Sequence, residues 1–368
     1  MLQKPSFTFG TTPEEYTPEP TPTIQEWREL WASWTVVTLE MIPRDQLLSK
    51  PIDLRNPCIF YLGHIPTFLD SLIARATGKE PTEPRHYQRI FQRGIDPDVE
   101  NPDQCHSHSE IPASWPELNG ILEYQSKVRA RTEELYKGGS ASHQPMAVQR
   151  VLWLGFEHEA MHLETLLYML VQSNTTLPPP NTILPDFASG RTWERKLDAP
   201  KESTWVKIPE TILDVGMNDC EEPENPEPHF FGWDNEKPVR KDVKVASFHT
   251  RVFPITNEEY AKYLAAKSSG TIPASWAKDD GGGAGEKADI SKLMDSVYIR
   301  TVFGLVPLEF ALDWPVMASY DELDGCARWM DARIPTADEV RAIYQHAELD
   351  ASKSAEKKQS KKIDAVNG

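Results

Sequence analysis

Two histidines four residues apart, His158 and His162, lie inside an apolar, helix-forming segment from about Val148 to Gln172. On an α-helix this spacing puts two imidazoles on one face with about 5–6 Å between Cβ atoms, which suits two coordination positions of one divalent metal. At about 100° per residue the same face carries Val151, Leu154, Gly155, Met161, Thr165 and Met169, so it points into an interior. Neutral imidazoles in an apolar core need partners, and one shared metal satisfies both. The first expectation is therefore a helical bundle enclosing a metal site.

The flanking periodicity supplies the other helices. Ile24 to Ile42 places Trp27, Leu30, Trp31, Trp34, Leu39 and Met41 at apolar positions. Asn56-Pro57 predicts a helix start, with Asn as cap and Pro at the first helical position, and that helix should run to about Gly78. With 115–138 and 145–173, these segments predict an antiparallel four-helix bundle over residues 24–175. The connection from about Lys79 to Ser114 is long enough to be a functional loop.

Residues 1–23, rich in Pro, Thr and Glu, read as extended or disordered. The helical period stops at Leu177-Pro178-Pro179-Pro180, so 176–201 reads as a linker. Residues 202–348 then read as a second, α+β domain. It has strand-like pieces at Trp205–Ile208 and Lys244–Phe248, a Pro- and Trp-bearing stretch around Trp314, and helices from Asn257 to about Ala266 and from Asp321 to Ala332. Asp279 to Gly285 reads as a flexible loop and the Lys-rich 349–368 as a disordered tail.

A formal charge of −17 and a pI near 5.1 leave no basic face to neutralise phosphates, so neither nucleic acid nor an anionic membrane is an expected partner. Small-molecule chemistry fits better. Cys58, Cys105, Cys220 and Cys326 are widely spaced with no C-x-x-C pair, which predicts a reduced compartment and no disulfides. The start, Met1 to Phe7, lacks a charged residue followed by an apolar run, and the expected location is the cytoplasm.

His64 is the best third ligand. It lies in the second helix among Ile59, Phe60, Tyr61, Leu62, Ile65 and Phe68, with Pro66 expected to bend the helix and Gly63 to allow close backbone approach. His86, His106 and His108 read as solvated loop histidines. Residues 158–162 also satisfy H-E-x-x-H, in which Glu159 would activate a metal-bound water, but His162 is followed by Leu163-Glu164-Thr165-Leu166-Leu167 with no continuation that supplies a third ligand. Glu164, about 240° round the helix from His158, reads as a bundle-face or outer group. Three imidazoles suit Fe(II) or Zn(II), and spacing does not choose between them.

Phe60-Tyr61-Leu62-Gly63-His64-Ile65-Pro66, together with Gly155-Phe156-Glu157-His158-Glu159-Ala160-Met161-His162-Leu163-Glu164-Thr165, resembles the DinB-like iron-binding domain of the sulfoxide synthases of ergothioneine biosynthesis, particularly the fungal type. Gly216-Met217-Asn218-Asp219, Asp234 to Val239, Phe253 to Tyr260 and Arg333 to Glu339 are similar to successive motifs of the formylglycine-generating-enzyme-like, C-type-lectin-like domain that follows it in that family. The resemblance implies a non-heme Fe(II) enzyme that joins cysteine, or γ-glutamylcysteine, to hercynine with consumption of O2 and formation of a sulfoxide. It implies His64, His158 and His162 as iron ligands, Arg93 as the group holding the thiol substrate's carboxylate, and Arg89 as its helper.

Past the helix that follows Arg333 the family's second domain continues with a Trp-rich segment bearing the catalytic tyrosine, and Ser352 to Gly368 does not match it. Tyr260, Tyr298 and Tyr320 match other parts of the domain. The expectation is thus a C-terminally truncated relative without the family's methyltransferase domain, which implies a separate methyltransferase partner, and with no catalytic residue assigned. Alternatives are a catalytically silent metal-binding or interaction protein of the same descent, or a DinB-type metal-dependent thiol transferase using the bundle alone.

Overall fold

The computed structural model describes residues 21–348 apart from 54, 93–109, 140, 189–204, 220–230, 268–270 and 279–295. The expectations for the N-terminal stretch to residue 20, the tract 279–285 and the tail 349–368 lie outside the described residues. The chain divides into two compact units, one of residues 1–184, 218–237 and 301–304, the other of 185–217, 238–300 and 305–368. The first unit is helical with short added segments, and the second is mixed α and β.

In the first unit α1 (Ile24–Thr35) starts at a capping box, Thr23 Oγ1 accepting from Glu26 N at 3.2 Å while Glu26 Oε2 accepts from Thr23 N at 2.6 Å. It continues into a π-helical turn, Val36–Glu40. The second helix, α2 (Cys58–Thr77), runs through Pro66 and stops where Gly78 takes the left-handed conformation, φ 66°. Its N-cap is Pro57, not Asn56: the start lies one residue later than Asn-Pro signals predict, and Pro57 has extended backbone. The short α3 (Tyr87–Phe91) precedes α4 (Leu118–Glu134) and α5 (Met146–Leu170).

Trp27, Trp34, Phe60, Leu62, Ile73, Ile121, Tyr124 and Leu152 are fully buried in one core shared by α1, α2, α4 and α5. Within it Asp70 accepts from Thr82 N and Thr82 Oγ1 at 2.7 Å and from Arg131 Nη1 at 2.8 Å, which ties α2, α4 and the chain after α2 together. Cys58 and Cys326 are free, buried thiols, each pushed up to about 11 by burial, and Cys105 and Cys220 lie outside the described residues.

The second unit holds β1 (Trp205–Ile208) paired antiparallel with β4 (Phe248–Arg251), β2 (Thr211–Val215) paired with β3 (Arg240–Val245), and a sheet of β5 (Trp276–Lys278), β6 (Val297–Thr301) and β7 (Gly304–Pro307). The single strand expected over Lys244–Phe248 is instead the junction of two strands, broken at Ala246-Ser247, because β3 and β4 pair with different partners. Helices α6 (Asn257–Lys267) and α7 (Tyr320–Trp329) follow the sequence expectation, and residues 337–348 form α8. Among the described residues no helix is long and apolar enough to cross a membrane.

Candidate metal centre

The centre is assembled by α2 and α5. His158 and His162 project from α5 towards His64 on α2; ring centroids are 4.9 Å (His64 and His158), 5.0 Å (His64 and His162) and 4.5 Å (His158 and His162) apart. One ring nitrogen from each of the three lies within 4.8 Å of the others.

Local packing sets each ring. His64 is buried, and its Nδ1 is 2.6 Å from the Phe91 carbonyl oxygen at the end of α3. As donor to that carbonyl Nδ1 keeps the proton, and Nε2 keeps its lone pair for a metal. Gly63 makes the approach possible, since a Cβ there would stand 2.5 Å from the Phe91 ring. Phe60 stacks on His64 at 5.0 Å and Phe68, four residues on, stacks on His158 at 3.8 Å. Tyr61 lies 5.6 Å from His162, and Trp233 lies 6.4 Å from both Phe68 and His158.

These surroundings hold the imidazoles neutral. Burial, then the neighbouring His64 and His162, pushes His158 well below the usual histidine range. Burial, His64 and Arg55 bring His162 down to about 3. The Nδ1 atoms of His158 and His162 are buried with no hydrogen-bond partner among the described residues. Such orphaned nitrogens are costly in a core, and the donor set of three neutral imidazoles fits a divalent transition metal.

Glu159 turns elsewhere. About 100° round the helix from His158, its buried carboxylate faces Arg129 of α4 at 3.7 Å, and burial raises it to about 7 against the pull of Arg129. It is paired with a cation rather than aimed at the three rings, which is the wrong disposition for the H-E-x-x-H protease arrangement. Two sequence expectations need correction here. Glu164 is exposed rather than on the bundle face, and Met161, placed from periodicity on the inward face, is 42% exposed, because it lies about 60° round the helix from His158 on the side of Glu164. Arg89 sits on α3 with its side chain exposed, and His86 is exposed; Arg93, His106 and His108 lie outside the described residues.

Phe60, Tyr61 and Phe68, the aromatic neighbours of His64 in sequence, all line the centre, Phe68 four residues after His64 on the same helix face. Trp233 carried no local signal, since it depends on packing between segments far apart in the chain.

The sequence profile of the DinB superfamily matches residues 26–166, which contain all three histidines. Ergothioneine biosynthesis protein 1 of Neurospora crassa is 47% identical over 385 aligned residues, covering 100% of this chain and 43% of that protein. Ergothioneine biosynthesis protein 1 of Schizosaccharomyces pombe is 37% identical over 349 residues, covering 89% of this chain and 42% of that protein. The chain thus spans less than half the length of the curated relatives it matches. It belongs by sequence with these fungal ergothioneine biosynthesis proteins, and its helical half belongs to the DinB superfamily.

Proposed function

We propose that this chain serves ergothioneine biosynthesis through a mononuclear metal centre on His64, His158 and His162. The observation that carries the reading is the convergence of three neutral, mostly buried imidazoles, one already oriented by the Phe91 carbonyl and two with unpartnered nitrogens. Fe(II) is the metal implied by the resemblance of the His64 and His158–His162 motifs to the sulfoxide synthases, with Zn(II) the alternative. Bound there, Fe(II) would supply O2-dependent oxidation that joins the sulfur of cysteine, or of γ-glutamylcysteine, to hercynine and leaves a sulfoxide.

The chain's own residues would do the positioning. Three ligands from two helices leave the remaining coordination positions to substrates, and holding reacting groups side by side removes much of the entropy cost of their meeting. The rings of Phe60, Phe68 and Trp233 surround the histidines with apolar surface and limit water. Arg93, with Arg89 assisting, is assigned to the carboxylate of the thiol substrate, since a guanidinium pairs with carboxylate through two parallel bonds. The second unit is assigned as part of a formylglycine-generating-enzyme-like domain, and the location as cytoplasmic.

The test is mass spectrometry of products after anaerobic loading with Fe(II) and addition of hercynine, cysteine and O2, with a His158→Ala/His162→Ala control. Sulfoxide made by the unmutated chain alone supports the synthase reading. Iron bound without product replaces it with a silent metal-binding relative, and thiol transfer that survives deletion of residues 200–368 replaces it with a bundle-only transferase.

A further inference from the structure

The described residues 218–219 and 231–237 belong to the helical unit although β1 and β2 lie between them and α5 in the chain. One carboxylate explains how they are held. The side chain of Asp219 is 1% exposed; both its oxygens take a guanidinium nitrogen of Arg150 on α5, and Oδ2 also lies 3.2 Å from Lys237 Nζ and 3.4 Å from Gly232 N. Asp219 therefore grips the 231–237 loop at Gly232 and at Lys237 and fastens it to the helix.

Between the two grips stands Trp233, whose backbone N–H donates to Glu236 Oε2 at 2.9 Å. Just before it Phe231 is fully buried, 6.2 Å from Trp153 and with the Arg150 guanidinium 5.2 Å over its ring. Arg150 precedes His158 by about 12 Å of helical rise, so the anchor and the imidazole share one rigid element. Burial pushes the Asp219 carboxyl up, but the bonds to Arg150 and Lys237 outweigh it and hold the carboxylate below its ordinary range.

A buried carboxylate is an expensive way to attach a loop that apolar contacts could attach, because its charge must be stripped of water and then matched on every side. What it supplies is direction: only one placement of the loop satisfies Arg150, Gly232 and Lys237 together. That placement puts the indole beside Phe68 and His158.

We propose that Asp219 is a positioning residue for the three-histidine centre, acting through Trp233, whose indole completes the aromatic wall on the Phe68 and His158 side and controls how water and small exogenous ligands reach a metal held there. The proposal rests on the reading of the three histidines as a metal site. Outer groups of this kind tune a centre through ring orientation and solvent access without touching the ion.

Cobalt(II) bound to the full chain tests it, with the visible d–d spectrum reporting coordination and azide titration reporting access to the open positions. Asp219→Ala and Trp233→Ala should each weaken cobalt binding by about tenfold, lower the visible absorption towards that of a more hydrated ion, and change azide affinity several-fold. The double variant should show no more change than either alone, since both act on one wall. Trp233→Phe should restore most of the spectrum, and Asp219→Asn, which keeps an acceptor for Gly232, should fall between. Trp233 is only half-buried, so its variants keep the fold, and circular-dichroism melts check the Asp219 variants. Unchanged spectra and azide affinities in both alanine variants, with cobalt binding abolished by His158→Ala, would overturn the role of Asp219 and leave the metal centre standing. Additive changes in the double variant would overturn the route through Trp233. No cobalt binding by the unmutated chain would overturn the metal reading and this assignment with it.

Discussion

His64 and Phe91 are joined through the back of the imidazole: Nδ1 lies 2.6 Å from the Phe91 carbonyl oxygen, and the Phe91 ring fills the space that Gly63 leaves open. A short helix outside the main bundle thereby orients one of the three converging rings.

Gly63→Ala tests this coupling. The added Cβ would stand 2.5 Å from the Phe91 ring, too close for a real contact, so α3 must move and the His64 bond must lengthen. Overpacking of this kind costs about 1–3 kcal/mol. Urea denaturation should show that loss, and metal titration should show weaker binding even though no ligand has changed.

Metal content separates the three histidines from Glu159. Alanine at His64, His158 or His162 should lower bound metal from about stoichiometric to background, since a site of three protein ligands loses a third of its donors. Glu159→Gln should leave metal content unchanged, because the Glu159 carboxylate faces Arg129. Metal retained by the three alanine variants, measured by elemental analysis after gel filtration, would sink the three-histidine assignment.

Asp70→Ala should be among the most destabilising substitutions in the helical unit. Asp70 is fully buried and receives the Thr82 N–H, the Thr82 hydroxyl and Arg131, whose side chain is 18% exposed. Removing it leaves the Arg131 guanidinium with only the neutral Glu80 carbonyl and Thr77 hydroxyl as acceptors and the Thr82 amide without its carboxylate, at a cost of about 3 kcal/mol in chemical denaturation. Arg28→Ala, which breaks the exposed pair with Glu133, should cost less than about 1 kcal/mol.

The second unit carries an acid-sensitive cap. Glu339 Oε2 accepts from Thr336 N at 2.8 Å while Thr336 Oγ1 accepts from Glu339 N at 3.2 Å, and Arg333 bonds both carboxylate oxygens. The Arg333 bond, opposed by desolvation and helped by Thr336, brings Glu339 down to about 2. A depressed carboxyl contributes stability that is complete above its unfolded value of about 4.3 and lost as pH falls towards its folded value. Glu339→Gln should therefore lower the melting temperature at pH 6 and make little difference near pH 2. A gap of constant size across that range would rule out the charged cap as its cause.

The helical half was legible in sequence because its signals are local. The stretch from Trp27 to Trp34 repeats at helical spacing, Gly78 stops α2 where a left-handed residue is needed, and the four-residue interval from His158 to His162 states their common face. The signals that misled were also local. Asn56 looks like a cap, yet the chain reaches helical geometry only after Pro57. Lys244 to Phe248 looks like one strand, but Val245 pairs with Thr211 and Phe248 with Ile208, so the segment bends between two partners. Nothing local announces that Asp219 meets Arg150, or that Phe91 offers its carbonyl to His64. Such contacts arise from a buried charge or an orphaned donor finding its complement after the chain has closed, and no period in the sequence encodes them.

The pairing of Glu159 with Arg129 bears on how α5 is aimed. A helix as apolar on several sides as α5, with Val151, Leu152, Trp153 and Leu166 all buried, could settle in its groove at more than one rotation with little difference in hydrophobic energy. A buried polar side chain tolerates far fewer, because turning it from Arg129 leaves it facing apolar neighbours, a constraint that a glutamine of the same shape keeps. Glu159 then works like the key on a shaft: its effect lies in the angle it imposes, and that angle is the one at which His158 and His162 look towards α2.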